Sequence, residues 1–503
     1  MKKKLQYSAY FLFGFCVSLL SALAMIIYKL SGWVIDTWGL LSIDEIIFHL
    51  KVPLEGTNTD VIIDGINACV PLAVMIFLMM ITYLIGMKNK KKIALLCMLL
   101  VMCISVETGV KAAYGVYVDL DVENYLESQK KESNFIQVEY VDPRSVSITF
   151  PEQKRNLIYI FLESMESTYA SKEEGGEFEE NYIPELTELA KSNVSFSNCD
   201  KMGGAYNAVG SAWTMAALFA QTSGLPLKLA EEVENGNAVL GENSGFSSSA
   251  YNLEDILSVN GYQQCFMIGS DATFGGRRAY FNSHGECEIW DLNTPKESGN
   301  LPEDYYVWWG YEDAKLFTYA QEKILEMSST GEPFNLTLLT VDTHFEDGYV
   351  CEFCQNEFGD NQYANVLACS SRQVAAFVEW IQQQSFYENT TIILCGDHLT
   401  MDSDFCEGLE YYDRKVYNAF INLPEGLDIS YEKTHYREFC TMDMFPTTIA
   451  ALGASIEGDK LGLGTNLFSD EKTLVERFGI EQLNQELMNK STFYDMLMND
   501  IDY

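Results

Sequence analysis

"TTIILCGDHLTMD", Thr390 to Asp402, is an apolar, β-branched run that closes on Cys395, Gly396, Asp397 and His398. It is apolar at successive positions rather than at alternate ones, which predicts a strand buried on both faces of a sheet. "NLIYIFLES" from Asn156, "YQQCFMIG" from Tyr262 and "FNLTLLTVDTH" from Phe334 have the same character. "IPELTELAKS", "YEDAKLFTYAQEKILEM" and "RQVAAFVEWIQQQ" carry helical spacing instead. The expected fold class is α/β, with a central mostly parallel sheet covered by helices on both faces.

In open sheets of this kind, ligands bind just beyond the carboxyl ends of the strands. Three of the four runs end in reactive groups there: Glu163, then Asp342 with His344, then Asp397 with His398. Each has an ordinary explanation on its own. Glu163 can cap a helix, Asp397 can turn a loop, and His398 can be a solvated surface histidine. Their common place at strand ends favours a divalent metal centre, for which carboxylate oxygen and neutral imidazole nitrogen are suitable ligands. A nucleophile is supplied by "GGAYNAVGSAWTMAALFAQTSGLPL", Gly203 to Leu227. Its small residues lead to Thr214 at a helix start, where backbone N–H groups and the helix dipole favour an anion. The alternative is that Thr214, or Ser211, is only an N-cap.

The sequence of 503 residues is long enough for a large domain plus additional segments. Its formal charge of −39 argues against a nucleic-acid partner, which needs clustered Lys and Arg. "YFLFGFCVSLLSALAMIIY" (Tyr10 to Tyr28) and "CVPLAVMIFLMMITYLIGM" (Cys69 to Met87) each approach the roughly 20 apolar residues that span a bilayer. "IALLCMLLVMCISV", from Ile93, is shorter and meets Glu107, so its last turns are expected in the headgroup region. Lys2, Lys3 and Lys4 precede the first stretch, and Lys88, Lys90, Lys91 and Lys92 follow the second. Both basic clusters are expected inside, which makes this a multi-pass cell-membrane protein with everything after about residue 112 extracytoplasmic. Among thirteen cysteines, Cys351 and Cys354 in "CEFC" admit a disulfide, a redox pair or a metal pair.

"NLIYIFLESMES", "GSAWTMAALFAQTSGLPL", "GGRRAYFNSHG", "TVDTHF", "GDHLTM", "TMDMFPTTIAALG" and "DKLGLGTNLFS", in that order, resemble the membrane-anchored phosphoglycerol transferases of the alkaline phosphatase/sulfatase superfamily. That group includes lipoteichoic acid synthase and enzymes that decorate periplasmic glucans. "EIIFHLKVPLEGTNTD", Glu45 to Asp60, is similar to a segment between early spans in the glucan-modifying branch. Together with the apolar spans and the charged, mixed stretch from Asp119 to Pro143, the resemblance gives a membrane domain over 1–112, a juxtamembrane helix and linker over 113–153, a sulfatase-like catalytic domain over 154–470 and a helical tail over 471–503. It places metal ligands at Glu163, Thr214, Asp397 and His398, with Thr214 also the catalytic nucleophile. It matches Arg277 to a phosphate-contacting arginine, with Arg278 one position away, and His344 to a substrate-site histidine.

Departures from the family pattern narrow the reading. Thr214 is followed by Met215, Ala216 and Ala217, without the Pro and Arg of the sulfatase signature, so sulfate-ester hydrolysis through formylglycine is not expected. Gly275 stands where lipoteichoic acid synthases have a tryptophan, and Trp308 and Trp309 are candidate substitutes whose ordinary role is packing. The implied function is transfer of a phosphoglycerol group from phosphatidylglycerol to a glycan or glycerolphosphate acceptor through a phospho-threonine. One divalent metal is implied, Mn²⁺ first, with Mg²⁺ or Zn²⁺ also compatible with the ligand set. The alternatives are a phosphoethanolamine transferase, a phosphodiesterase or phosphatase using water as acceptor, and a non-catalytic receptor that retains the fold.

Overall fold

β1 (Asn156–Leu162) is buried at every residue, and its side chains alternate between two hydrophobic layers. It pairs within a sheet that also contains β2 (Gln263–Ile268), β3 (Glu288–Trp290), β4 (Phe334–Leu339), β5 (Thr390–Gly396) and β6 (Asn418–Ile421). The spatial order is β3-β2-β4-β1-β5-β6. All neighbours are parallel except β6, which runs antiparallel to β5 at one edge. This is the expected α/β class, seen in a computed structural model that describes residues 2–38, 42–51, 59–228, 249–402 and 404–499.

The helices are α1 (Lys2–Trp38), α2 (Ile43–Lys51), α3 (Thr59–Gly86), α4 (Lys91–Asp119), α5 (Pro184–Ser192), α6 (Thr214–Ser223), α7 (Arg277–Ser283), α8 (Asp313–Ser328), α9 (Gln362–Gln382) and α10 (Met444–Ala451), with shorter ones between and after them. Leu157, Tyr159 and Phe161 of β1 join a core with Met215, Leu218 and Phe219 of α6 and with Phe445 and Ile449 of α10. Ile158, Ile160 and Leu162 join the opposite core with Leu186 of α5, Leu316 and Ile324 of α8, and Leu367 and Val374 of α9. Each fully buried side chain of this size contributes roughly 1.5–3 kcal/mol of transfer free energy, so the sheet is fixed from both faces. β3 and β6 were not expected from the sequence, being too short to display a period.

Contacts divide the chain into two units. The first comprises Met1–Ile43 and Asn58–Leu126, and the second Asp44–Thr57 and Glu127–Tyr503. Among the described residues of the first, three helices are long and apolar enough to cross a membrane: Gln6–Ile35, Val61–Gly86 and Lys91–Asp119. The third continues past Glu107, which pairs with Lys111 one turn on at 2.8 Å. The second unit contains the sheet and also recruits α2, while residues 52–58 of the quoted Glu45 to Asp60 segment lie outside the described residues. At its C-terminal end Leu474, Leu483, Leu487 and Tyr494 enter the same core as α6. The Ser133 N–H donates to Lys490 O at 2.9 Å, and Arg477 pairs with Glu139, joining the segment after α4 to the chain's end.

One buried carboxyl works against the fold. Glu254 is fully buried with no hydrogen-bond partner on either side-chain oxygen among the described residues, and burial pushes it up to about 8. Between its unfolded value and 8 the native state binds more protons than the unfolded state, so stability falls as pH rises through that window. Glu254→Gln is expected to leave stability at pH 5 nearly unchanged and to raise it by roughly 5 kcal/mol at pH 9, as read from denaturant midpoints.

Candidate active site

The in-register pairing of β1 with β5 sets the site. Leu162 lies opposite Gly396, so Glu163 and Asp397 leave the sheet side by side. Glu163, Asp397 and His398 are all buried, and one ligand atom from each lies within 4.8 Å of the other two. His398 Nε2 is 3.5 Å from Glu163 Oε1 and 3.4 Å from Asp397 Oδ2. Asp397 Oδ1 accepts from the Ser164 and His398 N–H groups at 2.7 Å each, whereas Oδ2 has no hydrogen-bond partner among the described residues. Burial and the neighbouring charge of Glu163 push Asp397 up to about 8. His398 Nδ1 donates to Leu399 O at 2.8 Å, which directs the Nε2 lone pair toward the two carboxylates. Such a group of acceptors requires a cation or extra protons between its members, and its donor set fits one divalent ion.

α6 brings Thr214 to this cluster. Trp213 ahead of it is extended, and no side chain caps the helix. Thr214 Oγ1 is 3.4 Å from Glu163 Oε2 and 3.4 Å from His398 Nε2, so the hydroxyl faces the acceptors instead of closing the helix end. Ser211 Oγ is engaged with Ala208 O at 2.8 Å and Asn207 Oδ1 at 3.0 Å.

Gly275 and Gly276 have φ of 68° and 78°, values that favour glycine, and they turn the chain into α7. Arg277 follows, buried, with no hydrogen-bond partner for Nε among the described residues and its guanidinium 5.3 Å from the Phe274 ring. Burial lowers it to about 10, opposed first by the charge of Glu163 and also by that of Asp397. Arg278 is engaged elsewhere, in an ion pair with the buried Asp291, so the two adjacent arginines have different surroundings. His344 reaches the site from the loop after β4, where Thr343 Oγ1 donates to Glu163 O at 2.6 Å. His344 Nδ1 donates to Phe345 O at 2.9 Å, and its ring centroid is 4.5 Å from that of Trp309. Burial keeps His344 below its ordinary value, with Glu163 opposing and His398 and Arg277 adding to the drop. Asp342 belongs to another arrangement, with Oδ1 accepting from the Asp313 N–H at 3.1 Å.

A further group was not singled out in the sequence. Phe48 on α2 is fully buried against Trp213, with ring centroids 5.6 Å apart. Next to it, His49 stacks on Phe274 at 6.1 Å and is lowered to about 4 by burial, then by the charges of Arg277 and His344. Glu45, one turn earlier, is buried and acts electrostatically on His398. Beneath the cluster, Glu166 and Arg414 form a buried pair, with Arg414 Nε 3.1 Å from Glu166 Oε2. Glu166 Oε1 also accepts from the Thr400 N–H at 2.9 Å, so the pair supports the loop that carries His398.

A strand-end cluster of this kind on a helix-covered parallel sheet defines a class, and the sulfatase family model matches residues 155–449. The chain belongs to the sulfatase family. It is 30% identical over 331 residues to phosphoglycerol transferase I of Xanthomonas campestris pv. campestris strain B100, covering 64% of this chain and 44% of that one. It is 32% identical over 331 residues to phosphoglycerol transferase I of Escherichia coli O139:H28 strain E24377A, covering 65% of this chain and 40% of that one. The chain thus spans less than half the length of these curated relatives. Among solved structures, a protein in the alkaline phosphatase superfamily from Vibrio parahaemolyticus superposes with a TM-score of 0.50 at 17% identity, covering 70% of this chain and 82% of that chain.

The cluster's chemistry can be tested by heat alone. Adding Mn²⁺ to metal-stripped protein is expected to raise the unfolding temperature of the wild type, because an ion that binds only the folded state stabilises it by mass action. Asp397→Asn is expected to lose most of that response, measured by differential scanning fluorimetry across a metal titration.

Proposed function

We propose that this protein is a metal-dependent phosphoglycerol transferase that takes its group from phosphatidylglycerol and passes it to a glycan or glycerolphosphate hydroxyl outside the cytoplasm. The observation that carries the reading is the Thr214 hydroxyl, 3.4 Å from both Glu163 and His398 within a buried acidic cluster. The phosphoglycerol transferase relatives support the choice of group.

Glu163, Asp397, His398 and Thr214 would hold the ion, Mn²⁺ first, which when bound supplies a Lewis acid that acidifies the hydroxyl and offsets phosphoryl charge. Thr214 Oγ attacks phosphorus, the bond to the diacylglycerol oxygen breaks, and the proton released by Thr214 ends on diacylglycerol. The product on the protein is a glycerophospho-threonine diester. Arg277 neutralises charge on the non-bridging oxygens as it is redistributed. His344, neutral and with its Nδ1 proton fixed on Phe345 O, accepts the acceptor's hydroxyl proton at Nε2 as that oxygen attacks phosphorus; the bond from phosphorus to Thr214 Oγ breaks, and the proton passes on to Thr214 Oγ, which restores both groups. His49, Phe274 and Trp309 form an uncharged aromatic wall beside Arg277. Trp309 would also fill the role left open by Gly275.

The same reading sets the membrane topology. α2 and everything after residue 127 belong to one folded unit, so they lie on one side of a bilayer. α3 and α4 stand between them in sequence, and two crossings return the chain to that side. With the lysine clusters inside, that side is extracytoplasmic, where a lipid donor in the outer leaflet is held at high local concentration.

Intact mass of the full chain after incubation with phosphatidylglycerol and Mn²⁺ tests the reading. An adduct of glycerophosphate mass is expected on the wild type and not on Thr214→Ala. Adduct formation from phosphatidylethanolamine alone would replace the donor, and metal binding without adduct or diacylglycerol release would sink the transferase reading. His49→Ala is expected to reduce kcat/KM about 10- to 100-fold while the Mn²⁺-induced thermal shift persists, consistent with loss of one positioned contact.

A further inference from the structure

The segment from Thr340 to Asn361 joins β4 to α9 without a helix or strand and carries His344. Connections of that length inside a compact unit need something to hold them. Part of the answer is at its far end, where the Cys354 N–H donates to Cys351 O at 3.1 Å and closes a tight turn. α9 then adds Cys369 beside that turn. Cys351 Sγ is 3.8 Å from Cys354 Sγ and 3.6 Å from Cys369 Sγ, and all three sulfurs lie within 4.8 Å of one another. A disulfide requires about 2.05 Å. A tetrahedron with Zn–S bonds of about 2.3 Å has edges of about 3.8 Å, which is the spacing seen here. Cys351 and Cys369 are buried and Cys354 is partly buried, so the sulfurs are largely shielded from solvent.

We propose that Cys351, Cys354 and Cys369 form a second metal site, for a thiophilic ion such as Zn²⁺, that staples the His344 loop to α9. Binding as thiolates releases the three protons to solvent and requires no oxidant. The Gln373 side-chain amide is 3.6 Å from Cys351 Sγ and 3.4 Å from Cys369 Sγ, and a half-turn of that amide offers its oxygen as the fourth ligand. Fixing Cys351 to Cys369 closes the return of the loop, so the ion restrains the segment that carries His344 without itself touching substrate. Its soft sulfur ligands separate it chemically from the oxygen- and nitrogen-rich cluster at the strand ends.

Cobalt tests this site directly, because thiolate ligands give Co²⁺ an intense near-ultraviolet charge-transfer absorption that carboxylate and imidazole ligands do not. The full chain, purified in detergent under reducing conditions and loaded with Co²⁺, is expected to develop this absorption and to lose it when Zn²⁺ is added. Asp397→Asn is expected to keep the absorption, and Cys351→Ser and Cys369→Ser to lose it. The wild-type spectrum decides the matter even where a variant folds poorly. No charge-transfer absorption, with the three thiols still freely reactive in the presence of Co²⁺ and Zn²⁺, would overturn the proposal. So would an intact mass of the protein purified without reductant that is lower by two hydrogens, with the disulfide mapped to two of these cysteines and no metal bound.

Discussion

Two carboxylates are brought together at the end of the sheet because two parallel strands run in register, and much of the site answers to that constraint. Glu163 and Asp397 follow residues that face each other across β1 and β5, so backbone hydrogen bonding places the acids side by side before their side chains interact. Burial first, and then the like charge of Glu163, make ionisation of Asp397 costly and push it upward. The surroundings are arranged around it. Backbone N–H groups serve one Asp397 oxygen, Thr343 ties the Glu163 carbonyl, and the imidazole of His398 directs its lone pair inward.

The two faces of the sheet divide the remaining work. α6 packs on the face of Leu157, Tyr159 and Phe161, and its first residue carries the hydroxyl to the cluster. The other face, with α5, α8 and α9, anchors the segments that lead to and from the His344 loop. The buried Glu166–Arg414 pair supports the Thr400 backbone at both its N–H and its carbonyl. A pair of this kind gives little net stability compared with apolar packing, but losing one member leaves a buried charge, so it resists change.

Much of this architecture was legible in the sequence. Strands β1, β2, β4 and β5 announced themselves because they are apolar at consecutive positions, which is how a strand covered on both sides reads. β3 and β6 did not, since three or four residues carry no periodic signal. The acids and histidine at the strand ends could be picked out one by one, but their adjacency depends on register, which a linear pattern does not contain. Arg277 and Arg278 are equivalent in sequence and become distinct only when Asp291 engages the second. His49 lies inside the Glu45 to Asp60 segment that the resemblance marks, but nothing in the pattern singles it out, because it lies on a short helix more than two hundred residues before the Phe274 it stacks on.

That last arrangement affects what counts as the complete folded unit. α2 is encoded ahead of two apolar helices, yet it contributes Phe48 and His49 to packing around Trp213 and Phe274. The unit that contains the sheet is therefore discontinuous in the chain. A protease cut, or a recombinant boundary, placed just after α4 would release a fragment with the strands, Thr214 and the acidic cluster intact. It would also separate from that fragment the covalent connection to α2, exposing Trp213 and Phe274 to water if the helix did not remain bound. Such a fragment would lose part of its site along with its anchor.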